Sequence, residues 1–291
     1  MNELPLILCY HKIERRGELG VTRVSPRRFA RHVERLARGG WSTVTPEQLL
    51  ACVVGARAVG DREVVITFDD AYRGLREHAF PVLAAHGFRA ICSVITGYAG
   101  RLNRWDVAYG GRRFAHLAWR DMRAWQSRGI AFIPHTVSHP RLTWCDDATV
   151  RRELSQSRID VERALDCDAS VISYPFGAAG PRERAIAREL GFTMGLTLAT
   201  RWRGDALAVP RLPVYLWSPP RPGQGGLAPL EWGAAAAANR CAVGTSLWQR
   251  LGRSRGDVRR NSAPRPATTS DVAPARAQSS GPAYASLAEL G

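Results

Sequence analysis

The sequence predicts an α/β protein built on a parallel sheet, open or closed into a barrel. Three observations lead there. Short apolar runs alternate with amphipathic segments over the first 220 residues, Val64–Phe68 is a continuous, largely apolar run, and amphipathic segments open on Ser25-Pro26 and Thr45-Pro46 or close on Gly39, Gly87 and Gly191. Folds of this class carry their functional residues at the C-terminal ends of the strands.

Leu4–Tyr10 reads as the first strand, rich in branched residues and followed by a polar loop. Ser25-Pro26 opens a helix with Phe29, Val33 and Leu36 on one face, and Gly39-Gly40 closes it. Thr45-Pro46 opens a short helix through Leu50, and Val64–Phe68 is a buried strand that ends in two aspartates. A helix over Leu75–His86 stops at Gly87, and Ala90–Ile95 is the next strand. Residues 97–118 form a long connection without periodicity, the kind that is often functional. Then come a helix over Trp119–Gln126, a strand at Ile130–Ile133, a helix over Asp147–Leu165 and a strand at Val171–Tyr174. A helix over Pro181–Leu190 and strands near Met194–Leu198 and Leu212–Leu216 complete the pattern. From Pro219 the chain turns to Pro, Ala, Ser, Arg and Gly, with one short helical stretch near Leu247–Leu251. Two units are therefore expected: a folded domain over 1–218 and a mostly disordered tail over 219–291.

Composition narrows the function. With 45% hydrophobic and 23% charged residues, the chain buries a sizeable core, which excludes disorder over its whole length. No apolar run approaches the roughly 18 residues that span a bilayer, and the Met-Asn-Glu start lacks the regions of a signal peptide. The expectation is a cytoplasmic protein, with peripheral contact at the inner membrane face left open. Six scattered cysteines without a CxxC pair are expected to be reduced. The net charge of +15 invites a nucleic-acid reading, yet it is spread along the chain, and Lys12 is the one lysine among 41 basic residues. Nucleic acid is not expected as a partner.

Two segments carry chemistry. In Val65-Ile66-Thr67-Phe68-Asp69-Asp70, adjacent carboxylates end an apolar strand, where like charges disfavour joint ionisation. A metal cation would relieve that conflict and leave one Asp free as a base; alternatively, one Asp caps the next helix and the other is solvated. In Pro134-His135-Thr136-Val137-Ser138-His139-Pro140, flanking prolines argue against a helix and for a strand end that converges two imidazoles, although lone histidines are usually structural. Asp70, His135 and His139 together make a two-histidine, one-carboxylate set that leaves coordination positions open, which suits metal-assisted hydrolysis.

With Ser173-Tyr174-Pro175-Phe176-Gly177 as a third motif, the sequence resembles the polysaccharide deacetylase family, carbohydrate esterase family 4 or NodB-homology domain, over about residues 4–216. The resemblance implies a deformed (β/α)7-type barrel with an incomplete ring of strands. It implies that Asp69 is the general base and that Asp70, His135 and His139 hold a divalent metal, usually zinc. Tyr174, Pro175, Phe176 and Gly177 would line the substrate groove, with the Phe176 N–H holding the oxyanion. The implied reaction removes N-acetyl, or N-formyl, groups from amino sugars of a polysaccharide, oligosaccharide or glycolipid. Alternatives are hydrolysis of another small non-peptide amide, or glycan binding without catalysis.

The chain departs from the family pattern twice. Ser173 stands where many members have an Arg that orients the catalytic Asp, and Arg211 is the candidate substitute. No histidine follows His139 to supply the general acid. Cys9-Tyr10-His11 resembles the Tyr-His segment of the branch that includes poly-N-acetylglucosamine deacetylases, which makes His11 the candidate acid. Trp144, five residues beyond His139, is the aromatic residue best placed to stack on a sugar.

Overall fold

The structure, a computed structural model, describes residues 3–15, 22–104, 113–199 and 201–214. The calls on 219–291, including the helix near Leu247–Leu251, lie outside the described residues.

Strand β1 (Leu6–Tyr10) is followed by a short parallel pair, β2 (Lys12–Ile13) and β3 (Arg23–Val24). Helix α1 (Pro26–Arg38) buries Phe29, Val33 and Leu36 as the periodicity predicts, together with His32. After β4 (Ser42–Thr43), α2 (Pro46–Val53) opens on a capping box: the Thr45 hydroxyl accepts from Gln48 N, and the Gln48 side chain accepts from Thr45 N. Strand β5 (Glu63–Phe68) carries the Asp-Asp pair at its end. The helix expected over Leu75–His86 is two, α3 (Gly74–His78) and α4 (Phe80–Ala85). Pro81 is the reason, because it has no N–H for the preceding turn and its ring crowds that turn's carbonyl.

Next come β6 (Ala90–Val94), α5 (Trp119–Gln126), β7 (Ile130–Pro134), α6 (Asp147–Leu165) and β8 (Val171–Ser173). The last elements are α7 (Pro181–Glu189), β9 (Met194–Thr197), β10 (Val209–Pro210) and β11 (Leu212–Pro213). All pairings between these strands are parallel. One sheet runs β11-β1-β5-β6-β7 with β4 beside β5, and a second runs β10-β9-β8. Among the described residues no ladder joins β7 to β8 or β10 to β11, so the ring is incomplete, as expected.

Both sheets nevertheless enclose one interior. Ile7, Val65, Ile91, Ile133, Val171, Met194, Leu196 and Val209 meet there, with Leu49 and Val53 of α2 packed against them. Each fully buried side chain of this kind contributes roughly 1.5–3 kcal/mol. Two residues further along the strands, on the same face by the strand period, the side chains are Cys9, Thr67, Ser93, His135 and Ser173, all buried. Hydrocarbon thus gives way to polar groups at the C-terminal end of the barrel.

Candidate active site

Asp69 lies at the centre of that polar layer. Arg211, in the bend between β10 and β11, grips it with two nearly parallel hydrogen bonds: Nη1 donates to Oδ1 at 2.8 Å and Nη2 to Oδ2 at 2.7 Å. Arg211 also donates to the Thr67 hydroxyl at 3.1 Å and the Ser173 hydroxyl at 3.0 Å, and Ser173 in turn donates to Asp69 Oδ1 at 3.1 Å. The Cys9 thiol points at Oδ2 from 3.5 Å, and burial pushes its pKa up, so it stays a thiol. Where an Arg was expected to open the third motif, Ser173 therefore leaves room for an Arg that arrives from another strand end. Burial alone would raise the Asp69 pKa; the Arg211 guanidinium and nearby His135 outweigh it and hold the carboxyl well below the usual range. Arg211 is itself 1% exposed, so the pair is a fully buried ion pair.

Asp70 turns the other way. Its Oδ1 lies 3.6 Å from His135 Nε2 and 3.5 Å from His139 Nε2, and the three ligand atoms fall within 4.8 Å of one another. His135 Nδ1 donates to the Ser173 carbonyl at 2.7 Å, which fixes the tautomer and leaves the Nε2 lone pair facing Asp70. Burial lowers the pKa of both histidines, so each is held as the neutral imidazole that ligates metals. Two neutral imidazoles and a carboxylate, buried and converging, fit a divalent ion with coordination positions to spare.

The backbone is bent to achieve this. Asp70 (φ 70°), Ala71 (φ 50°), Thr136 (φ 65°), His139 (φ 57°) and Phe176 (φ 59°) are left-handed, and the only other such non-glycine among the described residues caps α6. Left-handed residues cost of order 1–3 kcal/mol each and persist where surrounding contacts over-determine them. Here those contacts are visible. His116 Nδ1 donates to the Asp70 carbonyl at 2.6 Å, Leu117 N to the Ala71 carbonyl at 2.8 Å, and Tyr72 stacks on His116. The His135–His139 turn is held by Glu153 of α6, which accepts from Val137 N, Ser138 N and the Ser138 hydroxyl at 2.7–2.9 Å. Thr136 Oγ1 accepts from His139 N at 3.1 Å.

The remaining expected residues divide. A His11 ring nitrogen, the Asp69 carboxylate and the Cys9 sulfur lie within 4.8 Å of one another, so His11 flanks Asp69, within electrostatic reach of His135 and His139. Burial lowers His11 to about 4, with Asp69 acting in the opposite direction. Phe176 packs its ring on His139 at 4.7 Å. At Gly177 (φ 61°) any Cβ would lie 2.4 Å from Leu198 N, so this turn requires glycine. Tyr174 is different: its side chain is fully buried among Ile172, Ile186 and Leu207 and presses on Gly195, so it belongs to the core and not to a groove surface. Sequence reasoning missed Thr67, Glu153 and His116. Glu153 did leave a signal, as a charged residue in the buried α6 stripe Val150, Leu154, Ser157 and Val161. His116, in an aperiodic loop, left none.

The family profile for polysaccharide deacetylases matches residues 56–195, the stretch that contains both motifs of this site. Over those residues the chain carries a polysaccharide deacetylase domain. It is 27% identical over 191 residues to YxkH of Bacillus subtilis, a protein named as a polysaccharide deacetylase, which covers 66% of this chain. It is 22% identical over 140 residues to the poly-β-1,6-N-acetyl-D-glucosamine N-deacetylase of Staphylococcus aureus, which covers 47% of it. The chain spans 63% of the first relative's length and 48% of the second's. Two solved folds are similar to that of this chain. PplD, a deacetylase of Streptococcus pyogenes in complex with acetate, has a TM-score of 0.65 at 22% identity, covering 75% of this chain and 96% of that one. IcaB from Ammonifex degensii has 0.63 at 24%, covering 80% and 96%. Members of the family are hydrolases acting on amide C–N bonds. No helix among the described residues of this chain is long and apolar enough to cross a membrane.

Proposed function

We propose that this deacetylase removes N-acetyl groups from the amino sugars of a glycan, using a divalent metal, zinc first among them, held by Asp70, His135 and His139. The observation that carries the reading is the division of labour in the Asp pair: Asp70 faces two neutral imidazoles while Arg211 pins Asp69 beside them. A carboxylate held this far down is a weak base, and the bound ion would supply what it lacks, by polarising the amide carbonyl and acidifying the attacking water. Asp69 then takes the water's proton, and Arg211, Ser173 and Cys9 keep the carboxylate aimed as it does so. His11, neutral at pH 7, receives from the adjacent Asp69 the proton taken from water and passes it to the departing amine, which returns both groups to their starting state. The Phe176 N–H, in its left-handed turn over His139, is the proposed donor to the oxyanion.

The test is acetate release from N-acetylated oligosaccharides by protein stripped with a chelator and reloaded with zinc or cobalt. Asp69→Asn is expected to lower kcat by about 10²–10⁴ with metal still bound, and His139→Ala to lose both. Metal-independent release, or none from any acetylated or formylated glycan, would overturn the proposal. Turnover of small amides alone would shift it to that class, and glycan affinity without release would leave a binding module.

A further inference from the structure

We infer that Arg141 and Trp144 form a subsite for an anionic substituent, carboxylate or phosphate, on the sugar next to the one that is deacetylated; this inference rests on the deacetylase reading above.

A chain of ring contacts leads outward from the metal-binding residues. Phe176 packs on His139 at 4.7 Å, the Arg141 guanidinium lies 5.8 Å from the Phe176 ring centre, and the same guanidinium lies 5.2 Å from the Trp144 ring centre. Trp144 ends this ladder 43% exposed, the one aromatic among the large exposed apolar side chains of the described residues. An exposed indole normally loses by facing water, and a sugar's C–H face would cover it.

The charge on Arg141 is the sharper clue. Among the described residues it has no carboxylate partner, and its Nε is buried without an acceptor. The guanidinium has thus given up water at Nε without gaining an anion. Its neighbour Arg182 shows what a structural arginine does here. Arg182 is neutralised by Glu183 and Asp147 and spends its other donors on the carbonyls of Leu142 and Cys145. It thereby pins the turn that carries Trp144, while Arg141, also flanking that turn, remains uncommitted. A planar guanidinium held between two aromatic faces is pre-oriented to present its fork of N–H donors to an oxyanion.

The experiment compares three N-acetylated probes: chitotetraose (neutral), a hyaluronan tetrasaccharide (carboxylate) and the same chitotetraose carrying 6-phosphates (phosphate). Arg141→Gln is expected to lower the anionic-to-neutral ratio of kcat/KM about tenfold, mostly through KM, the size of one charge-assisted hydrogen bond. Arg141→Lys should fall between, and Trp144→Ala should weaken all probes together. The anion that loses most in Arg141→Gln identifies the substituent. A ratio unchanged within about twofold in an Arg141→Gln protein of native circular dichroism and native cobalt spectrum overturns the subsite. If the parent chain releases acetate from no probe, the deacetylase reading fails separately. Calorimetric binding of the same probes to chelated protein then decides the subsite, with an anionic preference lost in Arg141→Gln supporting it and equal binding overturning it.

Discussion

The lower and upper layers of this barrel interior are two residues apart along the same strands and are held together by different physics. Ile7, Val65, Ile91, Ile133 and Val171 below give way to Cys9, Thr67, Ser93, His135 and Ser173 above. The lower layer is stabilised by apolar area and packing, which are non-directional and tolerate substitutions that conserve volume. The upper layer is stabilised by pairing, so removing one member strands the other. One strand pattern thus supplies both a platform and a site, and the change falls where functional residues of parallel α/β folds collect.

The hardest way to break that contrast is Arg211→Met. It leaves Asp69 buried without its cation, and denaturant unfolding at pH 7 should show a loss of about 3–5 kcal/mol. The pH dependence should also invert. In the parent chain the folded pKa of Asp69 is depressed, so its contribution is present above the unfolded value of about 3.9 and is lost as pH falls towards the folded value. Without Arg211, burial raises the folded pKa above the unfolded one, and stability should instead rise as pH falls from 7 to 4. Unfolding curves that keep the parental slope with pH would refute the pairing argument.

A smaller effect is expected at His116, which reaches Asp70 through its backbone carbonyl. Replacing it with Phe keeps the stack on Tyr72 but loses the donor, and zinc affinity measured by titration of metal-free protein should fall about 10–100-fold. Asn, whose side-chain amide can mimic Nδ1, should recover much of it; equal affinities in both variants would make the bond incidental. The smallest change belongs to the lower layer. Ile91→Val should cost about 0.5–1.5 kcal/mol of stability and leave zinc affinity and the pH slope untouched. A shift in metal affinity there would mean that the layers are not independent.

What could be read from the sequence follows the same division. Elements with strong local periodicity were legible: α5 and α6 occupy Trp119–Gln126 and Asp147–Leu165 as predicted. The two-residue strands β2, β3, β4 and β10 are too short to carry a period and were not seen. Asp69, Asp70, His135 and His139 stood out because each pair ends an apolar run. Arg211 was visible only as a candidate, since its grip on Asp69 spans 142 residues and no local pattern encodes it. Tyr174 looked like part of the groove because Pro175, Phe176 and Gly177 follow it, yet the period of β8 buries its ring.

That separation of 142 residues also has a consequence during synthesis. At about 5–20 residues per second, Asp69 leaves the ribosome roughly 7–28 s before Arg211 does. Throughout that interval the nascent chain holds a carboxylate destined for burial and lacks both its counter-charge and β11, the strand that pairs with β1. Strands β1, β5, β6 and β7 can associate early, but the polar end of the barrel cannot close until the last described strand has emerged. The Asp69–Arg211 pair therefore forms late in translation, and a chain stopped at residue 195, the end of the family match, would never acquire it.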